Sequence, residues 1–222
     1  MNILIMCKDD AETIRMSTEF ILQLDSIITY TSLVAYVPTS FCIAPSSCHN
    51  IHLETWDPGC EQLQNLDLVL AIGGDGTVLN AAWQFQGPPI PPILPIFLRG
   101  TLGFLTLWDL SSTFELLLKV PLNLPSISER MRLCCKIIYR TGDCSRLFHV
   151  LNECVVDKGA YGGLLKLELH AASRMTEASF NRAATSCDAE EPFYRLLSII
   201  SADGVIVATP TGSTAYSVHE TF

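Results

Sequence analysis

The sequence predicts an α/β protein: an N-terminal parallel-sheet domain with helices on both faces, followed by a mostly β domain. Three observations carry this reading. Apolar strand-like runs alternate with helical spacings through the first half of the chain, the pattern of a parallel sheet with crossover helices. One of those runs, Leu66 to Ile72, feeds directly into the glycine-rich turn Gly73-Gly74-Asp75-Gly76-Thr77. After Pro121 the helical spacing disappears and short strand-like segments follow one another, which sets a domain boundary at 1–122 and 123–222.

The elements follow in order. Asn2 to Met6 is a short apolar strand, and Ala11 to Leu24 carries Ile14, Phe20, Ile21 and Leu24 at helical spacing. Leu33 to Val37 is a second strand, stopped by Pro38, and Thr39 to Gly59, rich in Ser, Pro and Cys, reads as irregular. Leu66 to Ile72 is the strand into the glycine turn, and Thr77 to Phe85 is the helix leaving it. Ile93 to Leu98 leads as a strand to a second glycine turn at Gly100 and Gly103, and Ser111 to Lys119 is a short helix. Beyond the boundary, Arg130 to Arg140, Leu147 to Asp157 and Leu164 to His170 read as strands, the last alternating Leu165, Leu167 and Leu169 with polar residues. Val205 to Ala208, apolar on both faces, reads as a central strand with neighbours on each side. Residues 173–192 are polar and read as a mobile surface loop.

Composition narrows the function. With 14 basic against 23 acidic residues the net charge is −9, which argues against nucleic acid or an anionic membrane surface as partner. The nine cysteines lack C-x-x-C spacing and fit reduced, core-filling thiols of a cytoplasmic protein. Cys42, Cys48, His49, His52 and Cys60 cluster without recognised zinc spacing, so no metal site is assigned to side chains. The apolar start, Asn2 to Met6, is too short for a signal peptide, and no run approaches a membrane span.

The chemistry concentrates in the first glycine turn. Between a strand and a helix, backbone N–H groups point at an anion, and glycines let it approach without a Cβ in the way. Asp75 is the unusual member, because a carboxylate beside phosphates is unfavourable unless it orients a hydroxyl or holds a metal. The plain alternative is a tight turn with Asp75 as N-cap of the helix.

Gly73 to Thr77 resembles the GGDGT loop shared by NAD kinases, diacylglycerol-type lipid kinases and 6-phosphofructokinases. Further segments single out the NAD kinases: Gly100 to Thr106 resembles their LGFLT segment, Asn152-Glu153 their NE motif, and Asp203 to Ser217 their DG-x-x-x-x-TPTGSTAYS segment. These occur in the family's order from about Leu66 to Ser217, and Arg130-Met131-Arg132-Leu133 stands as in the eukaryotic branch. The resemblance implies transfer of a phosphoryl group from ATP, with Mg²⁺, to the adenosine 2′-hydroxyl of NAD. It implies Asp75 as the catalytic acceptor of the hydroxyl proton, with Gly73, Gly74, Gly76 and Thr77 forming the ATP phosphate site. Gly74, Gly76 and Thr77 would offer backbone donors there. It implies NAD contacts from Phe104, Asn152, Glu153, Asp203, Thr214, Ala215 and Tyr216. Against these stand a solvated strand edge or turn for Asn152-Glu153, a turn residue for Asp203 and a core aromatic for Phe104. Arg99 and Lys158 are cations near these segments.

The family segment continues TAYS-x-SAGG into further strands, whereas here Val218-His219-Glu220-Thr221-Phe222 follows Ser217. The resemblance therefore implies a C-terminally truncated or alternatively ended form with an incomplete β domain, in which a family-type homo-oligomer is doubtful. Two readings stay open: a working NAD kinase, and a non-catalytic form that binds nucleotide weakly or pairs with a full-length subunit. A lipid kinase is a third, since its glycine loop is matched but the Thr209 to Ser217 segment is not.

Overall fold

Asn2–Cys7 forms strand β1, its four central residues buried on both faces, as expected of a strand inside a parallel sheet. The computed structural model to which it belongs describes residues 1–28, 33–41, 43–44, 47–57, 65–87, 90–98, 103–119, 126–160, 162–172 and 194–216. The chain divides into two units, Met1–Glu129 and Arg130–Phe222.

In the first unit, β1 is followed by helix α1, Ala11–Ile27. Asp10 caps α1, its carboxylate accepting the Thr13 N–H and hydroxyl, both at 2.9 Å. The helix buries Ser17, Phe20, Ile21, Leu24 and Asp25, one stripe at 3.6-residue spacing. Strands β2 (Leu33–Pro38), β3 (Ile51–Trp56) and β4 (Leu68–Ile72) come next, then helix α2 (Asp75–Gln84). Strands β5 (Ile93–Phe97) and β6 (Trp108–Asp109) and helix α3 (Leu110–Lys119) complete the unit. All neighbouring strands pair in parallel, in the order β3-β2-β1-β4-β5-β6.

Both faces of this sheet are covered. Ile3, Ile5, Leu70, Ile72 and Ile96 join one core with Phe20 and Leu24 of α1 and Leu117 of α3. The Phe20 and Phe114 rings, 4.6 Å apart, tie α1 to α3. The alternate residues Leu4, Val69 and Ala71 are equally buried, on the face that takes Val78 and Ala81 of α2.

The sequence left Ile51–Trp56 in an irregular stretch, but there it is β3, in register with β2. Its N-terminal end is held by Asp25, whose buried carboxylate accepts the N–H groups of His49, Asn50 and Ile51 at 2.8–3.1 Å. The short β6 was not expected either.

The second unit consists of antiparallel pairs: β7 (Leu133–Cys135) with β8 (Phe148–Val150), β9 (Glu153–Asp157) with β12 (Gly204–Ala208), and β10 (Leu165–Ala172) with β11 (Tyr194–Ala202). The expected strand Leu147 to Asp157 is broken at Leu151 and Asn152, which bend between β8 and β9. The expected central strand Val205 to Ala208 pairs only with β9 among the described residues, and Val207 is 53% exposed. Residues 173–192 lie outside the described residues. Cys7, Cys48, Cys134, Cys135 and Cys154 are free thiols as expected, whereas Cys144 is disulfide-bonded. No helix among the described residues is long and apolar enough to cross a membrane.

Candidate active site

Strand β4 is fully buried and delivers the chain to Gly73 at the carboxyl end of the sheet. Gly73 takes φ +154°, and a Cβ there would run into the Thr77 hydroxyl, so this position requires glycine. Its N–H is spent on Ile96 C=O at 2.8 Å, and that of Thr77 on Gly74 C=O at 2.9 Å. Thr77 is therefore not the backbone donor the sequence suggested. Gly74 is the N-cap of α2, with no side-chain cap. The N–H groups of Gly74, Asp75 and Gly76 have no acceptor among the described residues. Three unclaimed donors at a helix N-terminus favour an anion.

Asp75 is the first helical residue rather than the N-cap, so its carboxylate is not consumed by its own helix. It reaches across to the segment after the second glycine turn. Oδ2 accepts the Phe104 N–H at 2.8 Å. Oδ1 accepts the Leu105 N–H at 2.9 Å, and the Thr106 N–H and hydroxyl at 3.2 Å each. Gly103 makes the approach possible, because a Cβ there would collide with Asp75 Oδ1 and Thr106 Oγ1. Phe104 presents its ring to solvent, 54% exposed, and is not a core aromatic. Arg99 and Gly100 lie outside the described residues.

In the second unit the structure joins two segments that are far apart in sequence. Asn152 C=O accepts the Thr209 N–H at 2.8 Å, and the Thr209 hydroxyl donates to Leu151 C=O at 2.6 Å. The same hydroxyl oxygen accepts the Gly212 N–H at 3.0 Å. Gly212 packs on the Asn152 backbone so closely that a Cβ would overlap it. Thr209 and Thr211 are buried, and Arg130 donates to the Thr211 hydroxyl at 3.2 Å. A 3₁₀ turn, Gly212–Thr214, then presents Thr214, Ala215 and Tyr216, with Tyr216 46% exposed. Glu153 stands beside this turn at the start of β9, and its Oε2 is buried without a partner among the described residues. An orphaned buried carboxylate oxygen is rare and calls for a ligand or a water.

Asp203 links β11 to β12, its carboxylate 2.5 Å from Lys158 Nζ and its C=O accepting the Lys158 N–H. Lys158 is thus already paired. No group of three or more His, Cys, Asp or Glu side chains able to hold a metal stands among the described residues, and Cys42 and Cys60 lie outside them.

Two residues at these sites escaped the sequence reading of roles. Lys8 lines a cleft with Gly73 and Gly74. Its signal was a place immediately after the first strand, level with the glycine turn after β4. Arg130 stands in a branch-specific segment with no local signal of a role, because its contact with Thr211 spans 81 residues.

Comparison with known proteins identifies the family. Residues 3–121 match the model of the ATP-NAD kinase N-terminal domain. Over 98% of its length the chain is 32% identical to the ATP-NADH kinase YEF1 of Saccharomyces cerevisiae, of which it covers 44%. It is 38% identical, over 69% of its length, to NAD kinase 2, chloroplastic, of Arabidopsis thaliana, covering 14% of that protein. Its fold matches the crystal structure of yeast NADH kinase complexed with NADH at a TM-score of 0.76 and 27% identity, covering 99% of this chain and 60% of that one. The chain thus spans less than half the length of these two curated relatives. With more than half of its residues matched to the family's N-terminal domain, and the glycine turn within that match, the chain belongs to the ATP-NAD kinase family.

Proposed function

We propose that this chain transfers the terminal phosphoryl group of ATP to the adenosine 2′-hydroxyl of NAD, forming NADP. One observation carries the reading: the turn after β4 offers three N–H groups unclaimed among the described residues and, within the same turn, a carboxylate held rigidly from the other side. The relatives' names, and the NADH bound to the yeast enzyme, point the same way.

Phosphoryl transfer has a loose transition state, so the protein's task is to position groups and stabilise charge. Gly73 makes the turn, Thr77 packs beneath it, and Gly74 and Gly76 offer their amides to the donor phosphates. A carboxylate has about four lone-pair sites. Asp75 spends Oδ1 on Leu105 and Thr106, but among the described residues Oδ2 carries a single bond, from Phe104. Oδ2 is the atom that would accept the 2′-hydroxyl and take its proton as the oxygen attacks phosphorus. Phe104 would lie against the adenine. Asn152, Glu153, Thr214, Ala215 and Tyr216 would hold the dinucleotide, with Glu153 Oε2 accepting a hydroxyl. Asp203 would approach its far end. In domain terms, residues 1–122 would carry the phosphate site and 123–222 the dinucleotide contacts.

Mg²⁺ fits as a companion of the nucleotide rather than of a protein cage, because it keeps several waters and takes substrate phosphates as ligands. Asp10 and Glu12, which line the cleft beside Gly73 and Gly74, are the carboxylates that would face it. When bound, the ion supplies neutralising charge to the phosphates. Five free thiols against one disulfide-bonded cysteine, Cys144, among the described residues support a cytoplasmic setting.

The test is NADP formation by purified chain 1–222 with ATP and NAD, detected through an NADP-specific dehydrogenase. Product is expected, and none above background overturns the reading. A second reading, a non-catalytic chain that associates through apolar surface of its second unit, has its own support. Val156, Leu197, Ile199 and Val207 expose apolar surface on the second unit's strands, Ile199 at 65%. Size-exclusion chromatography with light scattering, run beside the assay, separates the two: an inactive self-associated species favours the second reading.

A further inference from the structure

Lys8 and Gly73 leave the sheet side by side. β1 ends at Cys7 and β4 at Ile72, and the Lys8 N–H donates to Ile72 C=O at 3.2 Å. A Cβ built on Gly73 would stand 3.5 Å from the Cβ of Lys8. β1 and β4 are neighbours where the strand order reverses, β3-β2-β1 running one way and β4-β5-β6 the other. Open parallel sheets take ligands in the crevice beyond such a point. A cleft of about 180 Å³ opens there, walled by Lys8, Gly73, Gly74 and Leu98 from the strand ends and by Asp10 and Thr13 from α1.

Among the described residues Lys8 is the one cation lining this cleft, and its side chain is held there only by an exposed ion pair. Its side chain is 70% exposed and its Nζ lies 3.3 Å from Asp10, an exposed pair that holds weakly. Asp10 does not depend on it, since its carboxylate is already engaged by the N–H and hydroxyl of Thr13. The other basic side chain described in the first unit, Arg15, pairs with Glu19 along α1 and does not line the cleft.

The geometry points to Lys8 as a phosphate-binding residue: its ammonium swings from Asp10 to the phosphates of the phosphoryl donor held on the Gly74 to Gly76 amides. This rests on the phosphoryl-transfer reading. The need is electrostatic. The chain carries a net charge of −9, and Asp10 and Glu12 in the cleft, with Asp75 in the turn, add negative charge where a polyphosphate must sit. Backbone dipoles alone would face that repulsion. A flexible point charge such as a lysine ammonium relieves it without demanding a fixed fork geometry. The ion pair with Asp10 parks the side chain at the mouth of the cleft until the donor arrives.

The test needs no turnover. ATP and, separately, inorganic tripolyphosphate are titrated calorimetrically into chain 1–222 as wild type, Lys8→Gln, Lys8→Arg and Arg15→Gln. Loss of one charge-assisted contact predicts binding weaker by about tenfold or more in Lys8→Gln for both ligands. Lys8→Arg restores most of it, Arg15→Gln matches wild type, and the gap between wild type and Lys8→Gln narrows at high salt. The proposal is overturned if Lys8→Gln binds both ligands as wild type does, if Lys8→Arg is as weak as Lys8→Gln, or if wild type binds neither. It is overturned equally if only ATP binding falls, since the contact would then be to the nucleoside. NADP formation, measured separately, tests the other reading: a chain that binds tripolyphosphate through Lys8 yet makes no NADP keeps this site and loses the kinase assignment.

Discussion

Asp75 and Thr106 meet through two hydrogen bonds, the Thr106 N–H and hydroxyl both donating to Asp75 Oδ1 at 3.2 Å, across 31 residues of sequence. Thr106 is fully buried, so the pair stands at the root of the segment that carries Phe104. The carboxylate of the glycine turn is therefore an anchor as well as a candidate base. One oxygen is committed to holding the neighbouring loop, and the other accepts one hydrogen bond from the described residues, that of the Phe104 N–H.

Asp75→Asn separates these roles poorly and should show both. An amide keeps one acceptor oxygen and turns the other into a donor, so at least one of the N–H groups of Phe104, Leu105 and Thr106 loses its partner. Turnover is expected to fall on the order of 10²–10⁴, with about 1 kcal/mol lost from unfolding free energy. Steady-state kinetics and urea denaturation measure the two together. Near-normal turnover would remove Asp75 from the mechanism.

Gly103→Ala tests the anchor alone, since it leaves the carboxylate in place. The added Cβ meets Asp75 Oδ1 and Thr106 Oγ1, so the Phe104 segment must move. A fall in kcat/KM for NAD with little change in ATP binding is the expected result. Unaltered kinetics would mean that the position of this segment is irrelevant to turnover.

Thr209→Val should loosen the turn that presents Thr214 to Tyr216. The substitution keeps the shape but removes the hydroxyl that donates to Leu151 C=O and accepts from Gly212 N–H, at a position 1% exposed. About 1–3 kcal/mol of stability is expected to be lost, and the apparent KM for NAD should rise more than that for ATP. A selective rise in the ATP constant would reassign this turn.

Glu153→Gln should weaken NAD binding without weakening the fold. Oε2 is buried with no partner among the described residues, so the substitution exchanges an acceptor-only carboxylate for a neutral amide that is less costly to bury. The thermal midpoint is expected to stay level or rise while the apparent KM for NAD increases. A clear drop in the midpoint would show that Glu153 is structural.

Asp25 predicts the acid behaviour of the first unit. Burial pushes its carboxyl up, but the N–H bonds from His49, Asn50 and Ile51 outweigh burial and hold it below the usual range. A depressed folded value stabilises the fold above the unfolded carboxylate value, about 3.9, and that stability is lost as pH falls through the lower folded value. Asp25→Asn should therefore unfold more readily at neutral pH and show a flatter loss of stability below about pH 4. Denaturation of both proteins across pH 2–6 checks this, and equal acid slopes would refute it.

Most of the first unit was legible because its signals are local. Phe20, Ile21 and Leu24 repeat at helical spacing, the runs at Ile3 and Leu70 are apolar throughout, and the glycines after Ile72 mark the turn. Strand β3 was not legible, because Ile51–Trp56 mixes exposed and buried residues, and its extended form is fixed by pairing with β2 and by Asp25 holding its first amides. The second unit was read less well: Val205 to Ala208 is apolar by composition, but its single described partner and the exposure of Val207 depend on which strands assemble beside it. The sequence by itself determined the fold class, the family and the placement of an aspartate inside a phosphate-type turn. Only the tertiary structure decided that Asp75 holds residues 104–106, that Thr209 and Gly212 brace Asn152, and that Lys8 stands next to Gly73. Periodicity records which way each side chain faces within its own element. Hydrogen-bond partners 30 to 81 residues away depend on strand order and register, which no local pattern encodes.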